Sequence, residues 1–587
     1  MEGLDACADT AGERSAPAPA CAGAPGGRAI VAAVPRPVTT IALALLAALT
    51  LAAPAVAQDR SVVRFAFPSD DGSLTPYTFT NGYALMTLVY DTLSWRDARG
   101  VPQPWLARSI RRTGPRQVEV TLRRGARWHD GRPLTADDVV FTFDYFREHE
   151  HSRFTPQLRH VADVSARDPL TVVFSLRDRA AGFEDQPLAD VPILPRHLWQ
   201  GLSSHRLAPA GLPVGSGPYR LVSYRAGQGY RFEANRGYFR GRPTVDRIEV
   251  PIIGDRDEIA TRLARRRLDA APVVGPAGTP LERSSTVRLG EADIYTGTVL
   301  ELNLTRAPFD DPQARRAVAL ALDLRRFSSA GRGPASRVRA DRGVIHPRSP
   351  WAGDAVLHRF DAAAARIAFS EQGVGAFEVA ASRSDPVRIE AARRVVRALQ
   401  EAGAQVRLRE MSPDELNRAI GAEGGRPTVD AAVVAFPALA SYDPSFLHAV
   451  FGSSNAPLND RGYRSARFER LAERVDAAST TSARRRAVEA QLRLLADDLP
   501  VVPLFFGGST FAYRPAAYDR WVDVRGSGIL DKRSFVDRAA AAEPAEEIGD
   551  PTDPASDDGI SLLPLIVVLA VVLVAALAWG MRRSRSA

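Results

Sequence analysis

Apolar and polar residues alternate in three short stretches of the chain, at 61–67, 117–122 and 171–176. The side chains of a strand point alternately to its two faces, so this alternation predicts three β-strands. A different spacing follows Asp311, where small and aliphatic residues recur every three or four positions as far as Leu322. That period predicts a helix with one apolar face.

Capping residues mark the starts of four helices. Thr135 is followed three positions later by Asp138, an acidic variant of the capping box. Asp311, Asp385 and Ser412 each precede a proline, which suits the first turn of a helix. We therefore predict that helices begin at these four positions.

Helices and strands alternate along the chain from Val299 to Leu504. The helix that starts at Asp385 is expected to end at Gly403, and a strand is expected at 406–408. Alternation of this kind is typical of helices packed on a sheet, so the body of the chain is predicted to be α/β.

An apolar run near the start of the chain predicts export. Residues 41–57 are apolar, follow Arg36 and end in Ala55-Val56-Ala57, a small-x-small pattern suited to signal peptidase. We predict a signal peptide with an extended amino-terminal region at 1–57, although translation could start further along the chain. A membrane anchor is the alternative, but the run is shorter than the roughly 20 residues that a span needs.

A second apolar run predicts a membrane anchor. Ile560–Trp579 contains no charged residue, and Arg582, Arg583 and Arg585 follow it. The positive-inside rule places this tail, 581–587, in the cytoplasm and the preceding body outside. The stretch 539–559 is acidic and contains prolines, so we expect a disordered linker before a transmembrane helix at 560–580.

Charge and cysteine placement exclude several classes of protein. The chain has 76 basic and 68 acidic residues, a formal net charge of +8, and the two signs are interspersed. Nucleic-acid binders usually gather their positive charge in one patch, so no nucleic-acid partner is expected, and the clusters 265–267 and 484–486 are assigned to solvated helix faces. Cys7 and Cys21 precede the first apolar run, which leaves the exported part without disulfides or thiolate ligands.

The sequence contains no recognisable catalytic motif. Glu148–His151 could suggest a metal site, but neighbours two apart on a helix point to different faces. His129-Asp130 could suggest acid–base chemistry, yet a polar turn at Asp130-Gly131 explains it better. We expect no catalytic residue, no bound metal and no cofactor.

Several short blocks, taken in order, resemble the family 5 extracellular solute-binding proteins, which serve ABC importers of dipeptides, oligopeptides and nickel. Leu122–Phe141 is the most recognisable block, and Thr75 stands where the family usually has an acid. The other blocks are Ser73–Pro76, Tyr90–Leu93, Pro104–Ala107, Gly215–Tyr219, Pro308–Asp323, Asp443-Pro444 and Leu499–Leu504.

This resemblance implies a two-lobed, three-domain, periplasmic-binding-protein-like (type II) α/β fold that closes on its ligand about a hinge. The body would span 58–538. One lobe would comprise about 58–295 and 500–538, and the other about 296–499.

The resemblance also implies where ligand binds. In the family, one ligand-contacting loop follows the first strand and another precedes the Asp-Pro pair. In peptide binders the second loop commonly carries an aspartate that pairs with the ligand's ammonium group, and Asp443 is the nearest candidate here. Core packing is the alternative role for the aromatic residues among those predicted to bind ligand, which are Tyr77, Asn81, Tyr83, Phe436, Ser441, Tyr442 and Asp443.

The predicted function is that of a monomeric, membrane-anchored, extracytoplasmic substrate-binding protein of an ABC importer. It would capture peptides or a peptide-like solute and deliver them to permease subunits in the membrane. The alternatives are a binding protein for a nickel chelate, opine, sugar or haem, a receptor without a transport role, and a membrane-bound hydrolase.

Overall fold

The computed structural model describes residues 61–79, 82–202, 208–273, 281, 284–328, 337–371, 374–421, 425–455, 458–459 and 461–536. The predicted signal peptide, acidic linker, transmembrane helix and cytoplasmic tail lie outside these residues. Within them, no helix is both long enough and apolar enough to cross a bilayer.

The described residues form an α/β fold. The helices are Tyr83–Val89 (α1), Ala136–Glu148 (α2), Arg196–Trp199 (α3), Arg256–Ala264 (α4), Pro312–Ala321 (α5), Ala362–Glu371 (α6), Pro386–Glu401 (α7), Pro413–Ile420 (α8), Leu439–Tyr442 (α9), Phe446–Phe451 (α10), Ala466–Asp476 (α11) and Thr481–Asp498 (α12). Short 3-10 helices lie at Thr155–Leu158, Leu324–Arg326 and Lys532–Phe535.

The strands are Val62–Arg64 (β1), Ser94–Arg96 (β2), Pro102–Pro104 (β3), Ala107–Gly114 (β4), Gln117–Leu122 (β5), Val161–Asp168 (β6), Thr171–Leu176 (β7), Tyr219–Arg225 (β8), Gly229–Ala234 (β9), Arg247–Pro251 (β10), Ala270–Val273 (β11), Arg288–Leu302 (β12), Arg337–Arg339 (β13), Phe377–Ser382 (β14), Val406–Met411 (β15), Ala431–Phe436 (β16) and Val501–Tyr513 (β17). The strands predicted at 117–122 and 171–176 are confirmed. Strand β1, Val62–Arg64, is shorter than the alternating stretch 61–67 that predicted it.

The predicted helix starts are also confirmed. Thr135 and Asp138 form the capping box of α2. The side chains of Asp311 and Asp385 accept hydrogen bonds from the backbone at the starts of α5 and α7. Ser412 caps α8 in a capping box of its own. Each cap satisfies backbone N–H groups that have no partner within the helix.

The first lobe combines two four-stranded sheets and a small ribbon. One sheet has the order β1–β10–β9–β8, the other is the antiparallel β4–β5–β7–β6, and β2 pairs with β3. A continuous apolar core runs from Val63 to Val250 and includes Phe535 from the carboxyl-terminal segment.

The second lobe is built on a mixed sheet whose order is β11–β17–β12–β16–β14–β15, with β13 also paired to β17. Two apolar cores flank this sheet, one containing Leu300 and Leu504 and the other containing Phe436 and Val488.

The long antiparallel pair of β12 and β17 connects the two lobes. At one end of the pair, Ala512 packs in a cluster with Ala66 of the first lobe. At the other end, Leu504 packs with Leu300 in the second lobe. The predicted lobe boundaries, 295/296 and 499/500, fall within β12 and just before β17.

The chain's single lysine fixes the carboxyl-terminal segment in the first lobe. Lys532 is fully buried, its Nζ lies 3.0 Å from Asp91 Oδ1, and it sits 4.2 Å from the ring centroid of Trp95. Asp91 also accepts hydrogen bonds from Trp105, Ser216 and Tyr238. An unpaired charge would be costly at this depth, so the pair constrains the segment tightly.

Candidate functional site

The two lobes meet directly along one contact zone. This interlobe seam joins residues 95–100 and 153–190 of the first lobe to residues 439–484 of the second. Gln186 Nε2 donates to the carbonyl of Leu439 at 3.2 Å, and Ala181 N donates to the carbonyl of Asp476 at 3.0 Å. Arg159 Nη2 donates to Asp476 Oδ2 at 2.6 Å. The two lobes therefore contact each other through both backbone and side-chain hydrogen bonds.

Strand β16 and α9 carry the predicted second-lobe residues to the seam. Ser441 is fully buried, and its hydroxyl accepts a hydrogen bond from His346 N at 2.9 Å. Its carbonyl accepts one from the Ser349 hydroxyl at 2.6 Å. Phe436 instead stacks on Phe451 in the second-lobe core, at 5.9 Å between ring centroids. Ser441 therefore holds residues 346–349 in place through hydrogen bonds, and Phe436 packs in the second-lobe core.

Tyr442 contacts the first lobe through Arg96. The Arg96 guanidinium lies 4.3 Å from the centroid of the Tyr442 ring. The Tyr442 hydroxyl donates to the carbonyl of Arg525 at 2.9 Å, and burial raises its pKa. Cation–π contacts are strongest when water is excluded, as it is here.

Asp443 forms an ion pair with an arginine of its own lobe. Arg484 Nη2 donates to Asp443 Oδ1 at 2.6 Å, and Ser445 N donates to the same oxygen at 2.8 Å. Both side chains of the ion pair are nearly inaccessible to solvent, with 6% and 2% exposure. Arg484 was expected on a solvated helix face together with Arg485 and Arg486, and this expectation is wrong for Arg484. It lies one turn into α12 and reaches Asp443 and Ser445, which lie between α9 and α10.

Arg96 and Asp185 form the facing part of the first lobe. Their side chains make a buried salt bridge beside Tyr442 and Asp443. Burial raises the pKa of Asp185 to about 6, Arg96 opposes that rise and the nearby Asp443 reinforces it. Burial by itself would lower the pKa of Arg96, but Asp185 and other neighbours raise it.

Tyr83 belongs to the same wall of the first lobe. Its hydroxyl donates to the carbonyl of Asp190 at 2.8 Å, and the Arg153 guanidinium lies 4.0 Å from its ring centroid. Arg153 also binds both carboxylate oxygens of Asp190, at 2.9 and 2.7 Å. Against the opposing effect of burial, Arg153 holds the pKa of Asp190 below its ordinary value.

The remaining predicted residues do not join this group. Tyr77 donates its hydroxyl proton to the carbonyl of His149 at 2.8 Å and stacks on Phe146. It therefore packs against α2 rather than facing Tyr442. Asn81 lies outside the described residues.

Several buried polar atoms beside the seam lack a hydrogen-bond partner within the described part of the chain. These are Arg96 Nε, Gln157 Oε1, Arg159 Nε and Arg484 Nε. Most buried polar groups in folded proteins are paired, so these four atoms are exceptions.

A cavity of about 300 Å³ lies at one end of the seam and is lined from both lobes. The first lobe contributes Arg112 and Arg179, and the second contributes Trp351, Thr480 and Arg484. In the described ranges, no group of three or more His, Cys, Asp or Glu side chains is placed to hold a metal ion.

Sequence reasoning missed Arg96, Asp185, Asp190 and Arg484. Each is a charged residue that the fold buries beside an opposite charge, and charged residues are usually exposed.

Comparison with known proteins gives a consistent family assignment. The family model described as "Bacterial extracellular solute-binding proteins, family 5 Middle" matches residues 101–457. The oligopeptide-binding protein AppA of Bacillus subtilis is 26% identical over 243 residues, which cover 40% of this chain and 45% of AppA. The chain thus spans about half the length of the curated relatives it matches.

Solved structures show the same fold. The periplasmic binding protein DppA of Helicobacter pylori, solved with peptide STSA, superimposes with a TM-score of 0.70 at 19% identity, covering 81% of this chain and 98% of DppA. NikZ of Campylobacter jejuni, solved with Ni(L-His), gives a TM-score of 0.68 at 19% identity, covering 80% of this chain and 97% of NikZ. The expected α/β, periplasmic-binding-protein-like fold is confirmed.

Proposed function

Because the chain belongs to the family 5 bacterial extracellular solute-binding proteins, we propose that it captures a peptide or peptide-like solute between its lobes for an ABC importer. Its relatives are substrate-binding proteins rather than enzymes, and several are named for peptides. The proposed cycle is opening, capture, closure and release to permease subunits in the membrane.

The observation that supports this proposal is the composition of the interlobe seam. Contacts such as Arg159 with Asp476 and Arg96 with Tyr442 exist only when the lobes are together. A ligand shifts a protein toward the state in which it has more favourable contacts, so a solute that touches both lobes would favour closure. The permease could then distinguish the loaded, closed form from the open one.

We propose that Tyr442 and Asp443 of the second lobe face the solute, with Tyr83, Arg96 and Asp185 of the first lobe opposite them. For Asp443 to bind an ammonium group, it would have to exchange Arg484 for the ligand. A buried carboxylate is tolerated only when it is paired with a cation. The ammonium group of the solute would therefore have to replace the positive charge of Arg484 beside Asp443.

The capture step can be tested on the purified full chain. Solutes that co-purify are released by unfolding and identified by mass spectrometry, and the refolded protein is titrated with them by calorimetry. Recovery of peptides that rebind with Kd in the micromolar range or tighter supports the proposal. Recovery of a non-peptide solute that rebinds, with no binding of any peptide, would replace the peptide with that solute.

We also propose that the body lies outside the cytoplasmic membrane and is tethered there by the run 560–579. The support is the charge pattern around that run and the apolar run at 41–57. Protease added to spheroplasts should digest the body and spare a carboxyl-terminal fragment. Protection of the whole body would contradict this topology.

A further inference from the structure

We propose that His160 is a pH-sensitive latch, which strengthens the contact between the two lobes when its imidazole ring is protonated and weakens that contact when the ring is neutral. As regulation of solute capture this inference rests on the proposed function, but the latch acts on the lobes with or without a solute.

The fold holds His160 in the interlobe seam. It directly precedes β6, and the pairing of β6 with β7 brings it beside Asp178, which lies just after β7. The backbone N–H of Arg177 donates to the carbonyl of His160 at 2.8 Å. On the other side of the seam lies Asp476, the last residue of α11, whose carbonyl accepts the hydrogen bond from Ala181 N. Backbone contacts therefore fix the ring opposite the second lobe.

The His160 ring lies between carboxylates of opposite lobes. Its Nδ1 lies 2.7 Å from Asp178 Oδ2, and its Nε2 lies 3.3 Å from Asp476 Oδ2. The side chains of His160 and Asp476 are both largely buried, so water screens the contact between them only weakly. Nε2 has no hydrogen-bond partner within the described part of the chain. A proton on Nε2 would therefore add an interaction without breaking an existing one.

Only a protonated ring can donate to both carboxylates. Neutral imidazole has one N–H and one lone pair, whereas imidazolium has two N–H donors. When the proton on Nδ1 is used for Asp178, neutral His160 presents the Nε2 lone pair to the carboxylate of Asp476. That contact between the lobes is repulsive, and protonation of Nε2 converts it into an attraction between opposite charges.

The charged groups around the ring keep their charge while His160 titrates. Burial acts to raise the pKa of Asp476, but Arg159 and His160 hold it well below its ordinary value. Burial also acts to raise the pKa of Asp178, and His160 lowers it. Arg159 donates to Asp476 at 2.6 Å and supplies an attraction between the lobes that does not depend on pH. Protonation of His160 adds to that constant attraction.

The histidine on the second-lobe side of this region does not share the role. His448 Nε2 lies 2.7 Å from Glu469 Oε2, so both members of this pair belong to the second lobe. Burial and the nearby Arg159 lower the pKa of His448 below its ordinary value. Burial acts to raise the pKa of Glu469, but hydrogen bonds from Ser453 lower it. Neither group changes its charge in the range in which His160 does.

The direction of the switch follows from the surroundings of His160. Burial opposes protonation of the ring, but Asp178 and Asp476 together raise its pKa above the ordinary value of 6.5. The latch is therefore engaged below pH 6.5 and is lost as the pH rises through the raised pKa.

The test is the distance between spin labels on the two lobes, measured in the refolded, solute-free full chain from about pH 6 to about pH 8.5. Cysteines replacing the exposed Arg116 and Arg397 carry the labels, and serines replace Cys7 and Cys21. We expect the ratio of short-distance to long-distance molecules to be about tenfold higher at the lower pH, because a charge-assisted contact is lost at the higher pH.

Three variants separate His160 from other groups at the seam. His160→Gln cannot bind the proton and should lose most of the response, leaving only that of Asp185, whose pKa burial raises to about 6. Asp178→Asn should move the midpoint of the response to lower pH, because it removes a carboxylate that stabilises the imidazolium. His197→Gln is the matched control, because His197 pairs with Asp130 at 2.7 Å within the first lobe. It should respond to pH as the original protein does.

Solute affinity should follow the same dependence. Calorimetric titration with the co-purified solute should give binding about tenfold tighter at the lower pH in the original protein, and a much smaller change in His160→Gln. A contact that favours the joined lobes also favours the state in which a solute touches both of them.

A distance distribution that does not change with pH, or that changes identically in His160→Gln, would overturn the latch and leave solute capture standing. A pH-dependent distance with a pH-independent affinity would support the latch and overturn its role in capture. Failure of any solute to bind the folded protein would contradict the proposed function, and the solute-free distances would still decide the latch.

Discussion

Gly182 of the first lobe lies directly against the carboxylate of Asp443 in the second. A β-carbon built at Gly182 would lie 1.8 Å from Asp443 Oδ2 and 2.7 Å from Arg484 Nη2. No side chain fits between them, so this arrangement of the two lobes requires glycine at this position. At this point the backbone of the first lobe packs on a buried ion pair of the second.

We predict that Gly182→Val holds the lobes apart. The added side chain would collide with an ion pair that cannot move without leaving Asp443 or Arg484 unpaired. Binding of co-purified solute should fall by about tenfold or more, a loss of roughly 1.4 kcal/mol or greater. Gly201→Val is the control, because a β-carbon there meets nothing within 4 Å. Unchanged affinity in Gly182→Val would show that closure does not need this approach.

We predict that Arg484→Met destabilises the fold by about 3–5 kcal/mol, because it leaves the buried carboxylate of Asp443 without its cation. Chemical denaturation monitored by circular dichroism measures the change. Arg485→Met, at the exposed neighbouring position, should change stability by no more than about 0.5 kcal/mol. The double variant Asp443→Asn/Arg484→Met should recover much of the loss. A single variant as stable as the original protein would mean that the pair is not buried in solution.

We predict that His160 makes stability fall with rising pH. His160 Nδ1 lies 2.7 Å from Asp178, its Nε2 lies 3.3 Å from Asp476, and Arg159 lies beside it. Burial acts to lower the pKa of His160, but the hydrogen bond to Asp178 and the nearby carboxylate of Asp476 raise it above its ordinary value of 6.5. The folded protein thus holds this proton more tightly than the unfolded chain does. The stabilisation is fully present below pH 6.5 and is lost as the pH rises through the raised pKa.

Thermal melting between about pH 6 and pH 8 measures this effect. The original protein should lose stability over that interval more steeply than His160→Gln, which cannot bind the proton. Identical pH profiles for the two proteins would show that His160 does not cause the loss of stability with rising pH.

We predict that Lys532→Met unfolds or strongly destabilises the carboxyl-terminal segment. Removing the ammonium leaves Asp91 buried with neutral donors alone, at a cost of about 3–5 kcal/mol. Lys532→Arg should also be destabilising, because a planar guanidinium is bulkier than the ammonium that fits beside Trp95 and Trp105. Limited proteolysis followed by mass spectrometry would show cleavage near residue 530 in both variants. Resistance to proteolysis equal to that of the original protein would contradict the role of Lys532 in anchoring the carboxyl-terminal segment.

The elements of the fold could be predicted from the sequence where local signals decide them. The caps at Thr135, Asp311, Asp385 and Ser412 and the strands at 117–122 and 171–176 depend on neighbouring residues, and the structure has them as predicted. The first strand was predicted over 61–67; β1 ends at Arg64, and Phe65 and Phe67 continue the pairing as isolated bridges.

The site was harder to predict because its charged residues are far apart in the sequence and come together only in the folded protein. Asp443 and Arg484 are 41 positions apart, and Arg159 and Asp476 are 317 apart. No local pattern shows that Arg484 turns inward while Arg485 stays exposed. Tyr442 was predicted at the site from family resemblance, but its partner Arg96 could not be recognised without the fold.

The most direct test of solute capture by closure is a distance measurement between spin labels on the two lobes. Labels at the exposed positions Arg116 and Arg397, each changed to cysteine with Cys7 and Cys21 changed to serine, report on the first and second lobe respectively. In the refolded, solute-free protein we predict a broad distribution that includes long distances. Addition of the co-purified solute should narrow it to the single short distance of the closed structure, and Gly182→Val should prevent this change. A distribution that is already narrow without solute and does not respond to it would contradict capture by hinge closure.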